Sequence, residues 1–184
     1  MIVDDDELDD LLFETENEVV DLILDRQEEV DELRILDKMI HTDGNNKYKN
    51  GKKIEYGKIK SLEIKREYSI PKSINKLVNL ECILFSDCYF TELPYEFYDL
   101  ENLACIQIEN CNELKSISDK IIKFTKLEAF IIIDDDNEGV IELPYNFADI
   151  IDEDFEIELP HNLFRTLILS LKAPFSNSKS ARKR

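Results

Sequence analysis

Four cysteines, two histidines and one acidic run are the residues of this chain whose types could do chemistry. Cys82 and Cys88 lie six residues apart, as do Cys105 and Cys111, and each member of the first pair recurs 23 positions later in the second. A structural zinc site needs Cys-x-x-Cys-type spacing, so that two thiolates from one turn reach one ion, and that spacing is absent. The constant offset instead marks Cys82 with Cys105, and Cys88 with Cys111, as equivalent positions of a repeat. It argues against a disulfide framework.

Asp134-Asp135-Asp136-Asn137-Glu138-Gly139 offers oxygen ligands for Ca²⁺ but lacks the alternating order of an EF-hand loop, so it reads as a solvated loop. His41 and His161 stand alone near expected helix ends. No Ser-His-Asp or Cys-His arrangement is legible. The four glycines form neither G-x-G-x-x-G nor G-K-[ST]. The expectation is a protein that is not an enzyme and uses no metal and no cofactor.

Charge narrows the choice of partners. Over 184 residues the net charge is −18, with 35% charged and 43% apolar residues. A strongly acidic chain is a poor ligand for phosphate backbones or anionic lipid, so neither direct nucleic-acid nor membrane binding is expected. The charge is uneven: residues 1–43 carry 17 acids and 3 bases, whereas residues 44–76 carry 3 acids and 10 bases. That asymmetry suggests that the acidic leader docks on the basic segment. The N-terminus has no basic n-region or long apolar stretch, no run is long enough to span a membrane, and the cysteines fit a reducing compartment. A cytoplasmic location is expected. The basic tail Lys179–Arg184 leaves a nuclear one open.

The elements that must position these residues come from a recurring phrase. Ile70-Pro71-x-x-Ile74-x-x-Leu77-x-x-Leu80-x-x-Ile83 returns as Leu93-Pro94-x-x-Phe97-x-x-Leu100-x-x-Leu103-x-x-Ile106, offset by 23 at every position. A third copy runs through Ile117, Ile121, Phe124, Leu127 and Phe130. A fourth opens at Leu143-Pro144. A fixed period of this size is the signature of a solenoid, whose units bury their apolar sides only by stacking. Within a unit, Ile83-Leu84-Phe85 alternates like a strand, and the residues after the proline step by three like a tight helical return.

Ahead of the repeats, residues 7–41 show helical periodicity, with a break expected near Thr15–Asn17. Residues 1–43 therefore read as an acidic helical cap, and 44–61 as a basic linker or short hairpin around Ile54, Tyr56 and Ile59. Residues 62–172 read as the repeats, with Phe155–Leu159 as last strand and a closing helix over 163–172. Residues 173–184 read as a disordered tail.

The phrase resembles the leucine-rich repeat, L-x-x-L-x-L-x-x-N/C-x-L-x-x-L-P, and is most similar to the intracellular variants of about 23 residues per unit. The likeness covers residues 59–163. It departs from the family pattern at Cys88, Cys111 and Asp135, which stand at the Asn position. Ser118 stands where the proline would be, and later spacings of 26 and 16 depart from the period. The resemblance implies an α/β horseshoe: a short solenoid with an N-terminal acidic helix and a C-terminal helical cap. It also implies a concave face lined by the strands.

Projecting the variable positions onto that face gives one row of Glu63, Leu84, Gln107 and Ile131. The next is Lys65, Ser86, Glu109 and Ile133, and a third is Arg66, Asp87, Asn110 and Asp134. Cys82, Cys105 and Ala129 precede them. The residues expected to bind are Leu84, Ser86, Asp87, Gln107, Glu109, Asn110, Ile131 and Ile133, with Leu84, Ile131 and Ile133 as exposed apolar anchors. The function expected is a non-enzymatic protein–protein interaction module whose acids steer a basic partner. The alternative is an acidic inhibitor or mimic that blocks a basic surface through its N-terminal helix.

Overall fold

The computed structural model describes residues 5–42, 54–135, 141–160 and 163, with helix side chains from residue 18 to residue 41. One long helix, α1 (Asp5–Thr42), precedes five parallel strands: β1 (Ser61–Lys65), β2 (Cys82–Ser86), β3 (Cys105–Glu109), β4 (Ala129–Ile133) and β5 (Glu156–Glu158). The strands lie in one sheet in chain order, β1-β2-β3-β4-β5. The return path after each of the first four strands contains a short 3₁₀ turn: Lys72–Lys76, Tyr95–Asp99, Asp119–Lys123 and Phe147–Ile150. The fold is thus α/β, with a strand-and-turn pattern repeated along one sheet.

The repeat appears directly as register, with partners 21, 23 and 24 residues apart along the first four strands. Leu62 pairs with Ile83, Ile83 with Ile106 and Ile106 with Phe130; Ile64, Phe85, Ile108 and Ile132 form the second inward row. All of these are buried. Because successive strand residues point to opposite faces, the residues between them point outward. The returns add further buried rows of the same kind: Ile74, Phe97, Ile121 and Phe147, then Leu77, Leu100 and Phe124. Phe97 is the aromatic hub, with ring centroids 5.9 Å from Phe85, 5.4 Å from Tyr98 and 5.6 Å from Phe124.

Pro71 and Pro94 immediately precede their turns at φ −68° and −63°, near the value the pyrrolidine ring enforces. Ser118 occupies the same place at φ −66°, and its hydroxyl accepts from the Lys120 N–H at 3.3 Å. A capping side chain thus replaces a locked dihedral.

Each of the first three strands is followed by a residue with left-handed backbone: Arg66 (φ 56°), Asp87 (54°) and Asn110 (50°). These residues extend the ladder while the chain turns inward. The Arg66 N–H donates to Ser86 O, Asp87 to Glu109 O and Asn110 to Ile133 O, at 3.1, 2.9 and 2.9 Å. Cys88 follows one such turn, buried, and its thiol donates to Ile64 O of the preceding strand at 3.4 Å.

The C-terminal end of α1 packs on β1 and on the Lys72–Lys76 turn, burying Leu36, Met39 and Ile40 in the core. The Ser73 hydroxyl donates to Glu32 O at 2.9 Å, and the Tyr56 hydroxyl to Asp37 Oδ1 at 2.6 Å. Lys72 and Lys76 pair with Glu28 and Glu29 at 2.9 and 3.7 Å, so acidic leader and basic segment do dock. These pairs are exposed and screened by solvent, so the apolar contacts dominate the attachment.

Two expectations are corrected. The helix runs unbroken through Thr15–Asn17; without Pro or Gly, a stutter in side-chain pattern is no reason to break the backbone ladder. Residues 54–60 form no strand but a 3₁₀ turn, Tyr56–Lys58, and the rest of the expected hairpin lies outside the described residues. So do the tail over 173–184 and, apart from the buried Leu163, the closing helix over 163–172. Among the described residues no helix is long and apolar enough to cross a membrane.

Candidate functional site

The outward face of the sheet is built from the variable positions. Its rows run Glu63, Leu84, Gln107, Ile131, Glu158, and Lys65, Ser86, Glu109, Ile133. A flanking row is Ser61, Cys82, Cys105, Ala129, Glu156. Asp87 and Asn110 stand at the left-handed turns beside it. All eight expected binding residues therefore fall on or beside this one face, each half-buried. Leu84, Ile131 and Ile133 are less exposed than their outward direction suggested, because outward side chains of neighbouring strands cover one another's flanks. Gln107 also separates Leu84 from Ile131.

The polar members are tied to one another. The Gln107 amide donates to Glu109 Oε1 at 2.7 Å, and Lys65 pairs with Glu63 at 2.8 Å. Asn110 exchanges two bonds with Asp135: its amide nitrogen donates to Asp135 Oδ2 at 3.3 Å, and its oxygen accepts from the Asp135 N–H at 3.1 Å. The face thus grades from charged at β1, through polar β3, to apolar at β4. It turns acidic again at β5 through Glu156 and Glu158, residues the repeat pattern alone did not align.

Among the described residues no three His, Cys, Asp or Glu side chains group as metal ligands. Cys88 and Cys111 pair with each other and shift in opposite directions: the hydrogen bond with Cys111 lowers the Cys88 thiol to about 7, while that bond and burial push Cys111 up from its ordinary range. An open groove of about 320 Å³ lies between α1 and the Lys72–Lys76 turn, lined by Asp25, Glu28, Glu29, Glu32, Lys72 and Lys76 among others. Glu28 and Glu29 are already engaged by the two lysines.

Other surface features escaped the repeat reading. Tyr68 and Tyr89, 75% and 46% exposed, stack with centroids 4.9 Å apart. Lys120 Nζ sits 3.2 Å from the centroid of Tyr95. On α1, Leu22, Ile23 and Leu24 are each 61% exposed, beside exposed Val19 and Val20. The helix has apolar residues on more than one side, and that pattern was a signal that packing against the repeats could not use them all. No protein-family model matches the chain, and no curated protein sequence matches it.

Proposed function

We propose that this chain is a leucine-rich-repeat scaffold, a short horseshoe solenoid, that binds a protein segment across the concave strand face and does no chemistry itself. The observation that carries this reading is the contrast between the two sides of the same strands. Inward rows stay apolar from unit to unit: Leu, Ile, Ile, Phe and Ile, Phe, Ile, Ile. Outward rows change at every step: Glu, Leu, Gln, Ile and Lys, Ser, Glu, Ile. A fold that fixes one side and varies the other supplies rigid positions for recognition.

Leu84, Ile131 and Ile133 would be the apolar anchors. Ser86, Asp87, Gln107, Glu109 and Asn110 would supply hydrogen bonds and register. The net charge of −18 favours a basic protein segment, attracted at long range and weakened by salt. It disfavours nucleic acid and anionic membrane, and a cytoplasmic location suits free thiols.

The test compares the wild-type chain with Leu84→Arg and Ile131→Arg as baits for proteins of its native cell extract. Ile122→Arg on an exposed return turn is the control. Loss of the same captured protein with both face variants but not the control, at unchanged circular dichroism, supports the reading. Equal capture by all four baits removes it.

A second reading is favoured by α1, whose exposed acids Glu18, Asp21 and Asp25 could meet a basic surface while its exposed Leu22, Ile23 and Leu24 add apolar contact, making the helix a candidate inhibitor of such a surface. Charge reversal at Glu18, Asp21 and Asp25 would then abolish capture while the Leu84 and Ile131 variants retain it.

A further inference from the structure

Two of the four cysteines stand side by side in solvent reach. Cys82 of β2 and Cys105 of β3 are register partners on adjacent parallel strands. Neighbouring strands lie roughly 4.8 Å apart, inside the Cα separation of about 4.4–6.8 Å that a disulfide spans. Strand alternation sends both side chains to the outward face with Leu84 and Gln107. Cys82 is exposed, Cys105 half-buried, and both are free thiols. Their row neighbours on either side, Ser61 and Ala129, are small and leave lateral room.

We propose that Cys82 and Cys105 are a reversible thiol–disulfide site on the outward face, oxidised by exchange with a small disulfide such as glutathione disulfide.

The exchange starts at Cys82, the more accessible thiol. Burial first, and the adjacent Cys82 second, hold the Cys105 thiol above its ordinary range, so Cys82 is the better initial nucleophile. The Cys82 thiolate attacks one sulfur of glutathione disulfide, forming a mixed disulfide and expelling one glutathione thiolate, which takes up the proton Cys82 lost. The Cys105 thiolate then attacks Cys82 Sγ, expelling the second glutathione. In sum, two protein thiols and one glutathione disulfide become one protein disulfide and two glutathiones. Two electrons leave the protein sulfurs.

Register-paired positions on parallel strands hold their Cβ atoms about as far apart as the strands. That exceeds the mean Cβ separation of a relaxed disulfide, about 3.8 Å. Closure therefore shifts the strands or strains the bond, and a strained, exposed disulfide is readily reduced. That suits a reversible modification rather than a permanent staple. Cys88 and Cys111 differ in kind: both are buried, with thiols donating to backbone oxygens of Ile64 and Glu109.

The experiment equilibrates the full chain in buffers of graded reduced-to-oxidised glutathione ratio, blocks free thiols and cleaves at Asp and Glu. This separates all four cysteines, because Asp87, Glu101 and Glu109 fall between them. The expected result is one linked peptide pair, Cys82 with Cys105, lighter by two hydrogens, that disappears as reduced glutathione rises. Cys105→Ser should leave glutathione trapped on Cys82 with an unchanged circular dichroism spectrum. The proposal fails if both cysteines remain blockable at every ratio. It fails equally if each carries its own glutathione without a cross-link, or if Cys88 or Cys111 is oxidised first.

Discussion

The side-chain nitrogen of Asn102 donates to the backbone oxygen of Val78 across 2.7 Å, tying one repeat to the one before it. The bond recurs with the period: Asn79, 23 positions earlier, donates to Gly57 O at 2.8 Å. In the next unit Lys126 takes the equivalent place and reaches the Asn102 side-chain oxygen. Asn102 is therefore both donor backward and acceptor forward. Asn102→Ala should lower unfolding free energy by about 1 kcal/mol, read as a shift of the urea midpoint at constant slope. Lys126→Ala, which removes only an exposed contact, should cost less.

Left-handed backbone at Arg66, Asp87 and Asn110 should give a graded response to glycine. A side chain with a Cβ in that region costs roughly 1 kcal/mol, and asparagine tolerates it best. Arg66→Gly should be neutral to stabilising by up to about 1 kcal/mol, because the exposed arginine side chain has little to lose. Asn110→Gly relieves less strain and forfeits both bonds to Asp135, so it should destabilise. Asp87→Val, β-branched at φ 54°, should cost about 1–2 kcal/mol. Thermal melts of the three variants decide the order.

The strand register was legible because the alternating apolar residues of each unit can satisfy burial in only one alignment, even where the spacing between units varies from 21 to 24 residues. Leu62, Ile83, Ile106 and Phe130 had to share a row, and the outward rows followed from alternation. The returns were legible as turns at Pro71 and Pro94, whose φ is locked. The third return was legible from Ile117, Ile121 and Phe124, but the capping bond by which Ser118 replaces the proline is visible only once the chain is folded. Tyr56 and Ile59 misled, because two apolar residues near glycines suit a hairpin or a 3₁₀ turn equally. The partial cover of Leu84, Ile131 and Ile133 was also hidden. It depends on the size of side chains on neighbouring strands, which no single repeat encodes.

Alkaline pH should loosen the attachment of α1 through Tyr56. Its hydroxyl donates to Asp37 Oδ1, and burial, that bond and the Asp37 charge push its pKa up to about 12 from an ordinary 10.0. Below pH 10 the phenol is protonated in folded and unfolded chains alike, and its contribution is fully present. Between pH 10 and 12 the unfolded chain loses the proton first, so folding requires retaining it and stability falls with pH. Above pH 12 the contribution is gone. Tyr56→Phe should be about 1 kcal/mol less stable at neutral pH and should show a shallower loss across this window. Urea midpoints at stepped pH, with tyrosinate absorbance followed in parallel, would test both points. An identical pH profile for the two proteins would show that the Tyr56–Asp37 bond contributes nothing.

The middle and the C-terminal end of α1 should answer mutation in opposite ways. Leu36 and Ile40 are fully buried against the repeats, whereas Leu22 and Ile23 on the same helix are 61% exposed. Leu36→Ala and Ile40→Ala should each cost about 2–5 kcal/mol, since deletion leaves a cavity at the edge of the core. Leu22→Ala and Ile23→Ala should stay within about 0.5 kcal/mol, as substitutions at exposed sites do. Leu22→Asp together with Ile23→Asp then separates the two readings of function. If the helix only covers the first strand, this double variant melts like wild type and captures the same partner. If the helix is the binding element, it still melts like wild type but loses the partner, because an acid placed on an apolar contact must be desolvated without a mate. Stability that drops by more than about 1 kcal/mol would contradict the exposed geometry of both residues.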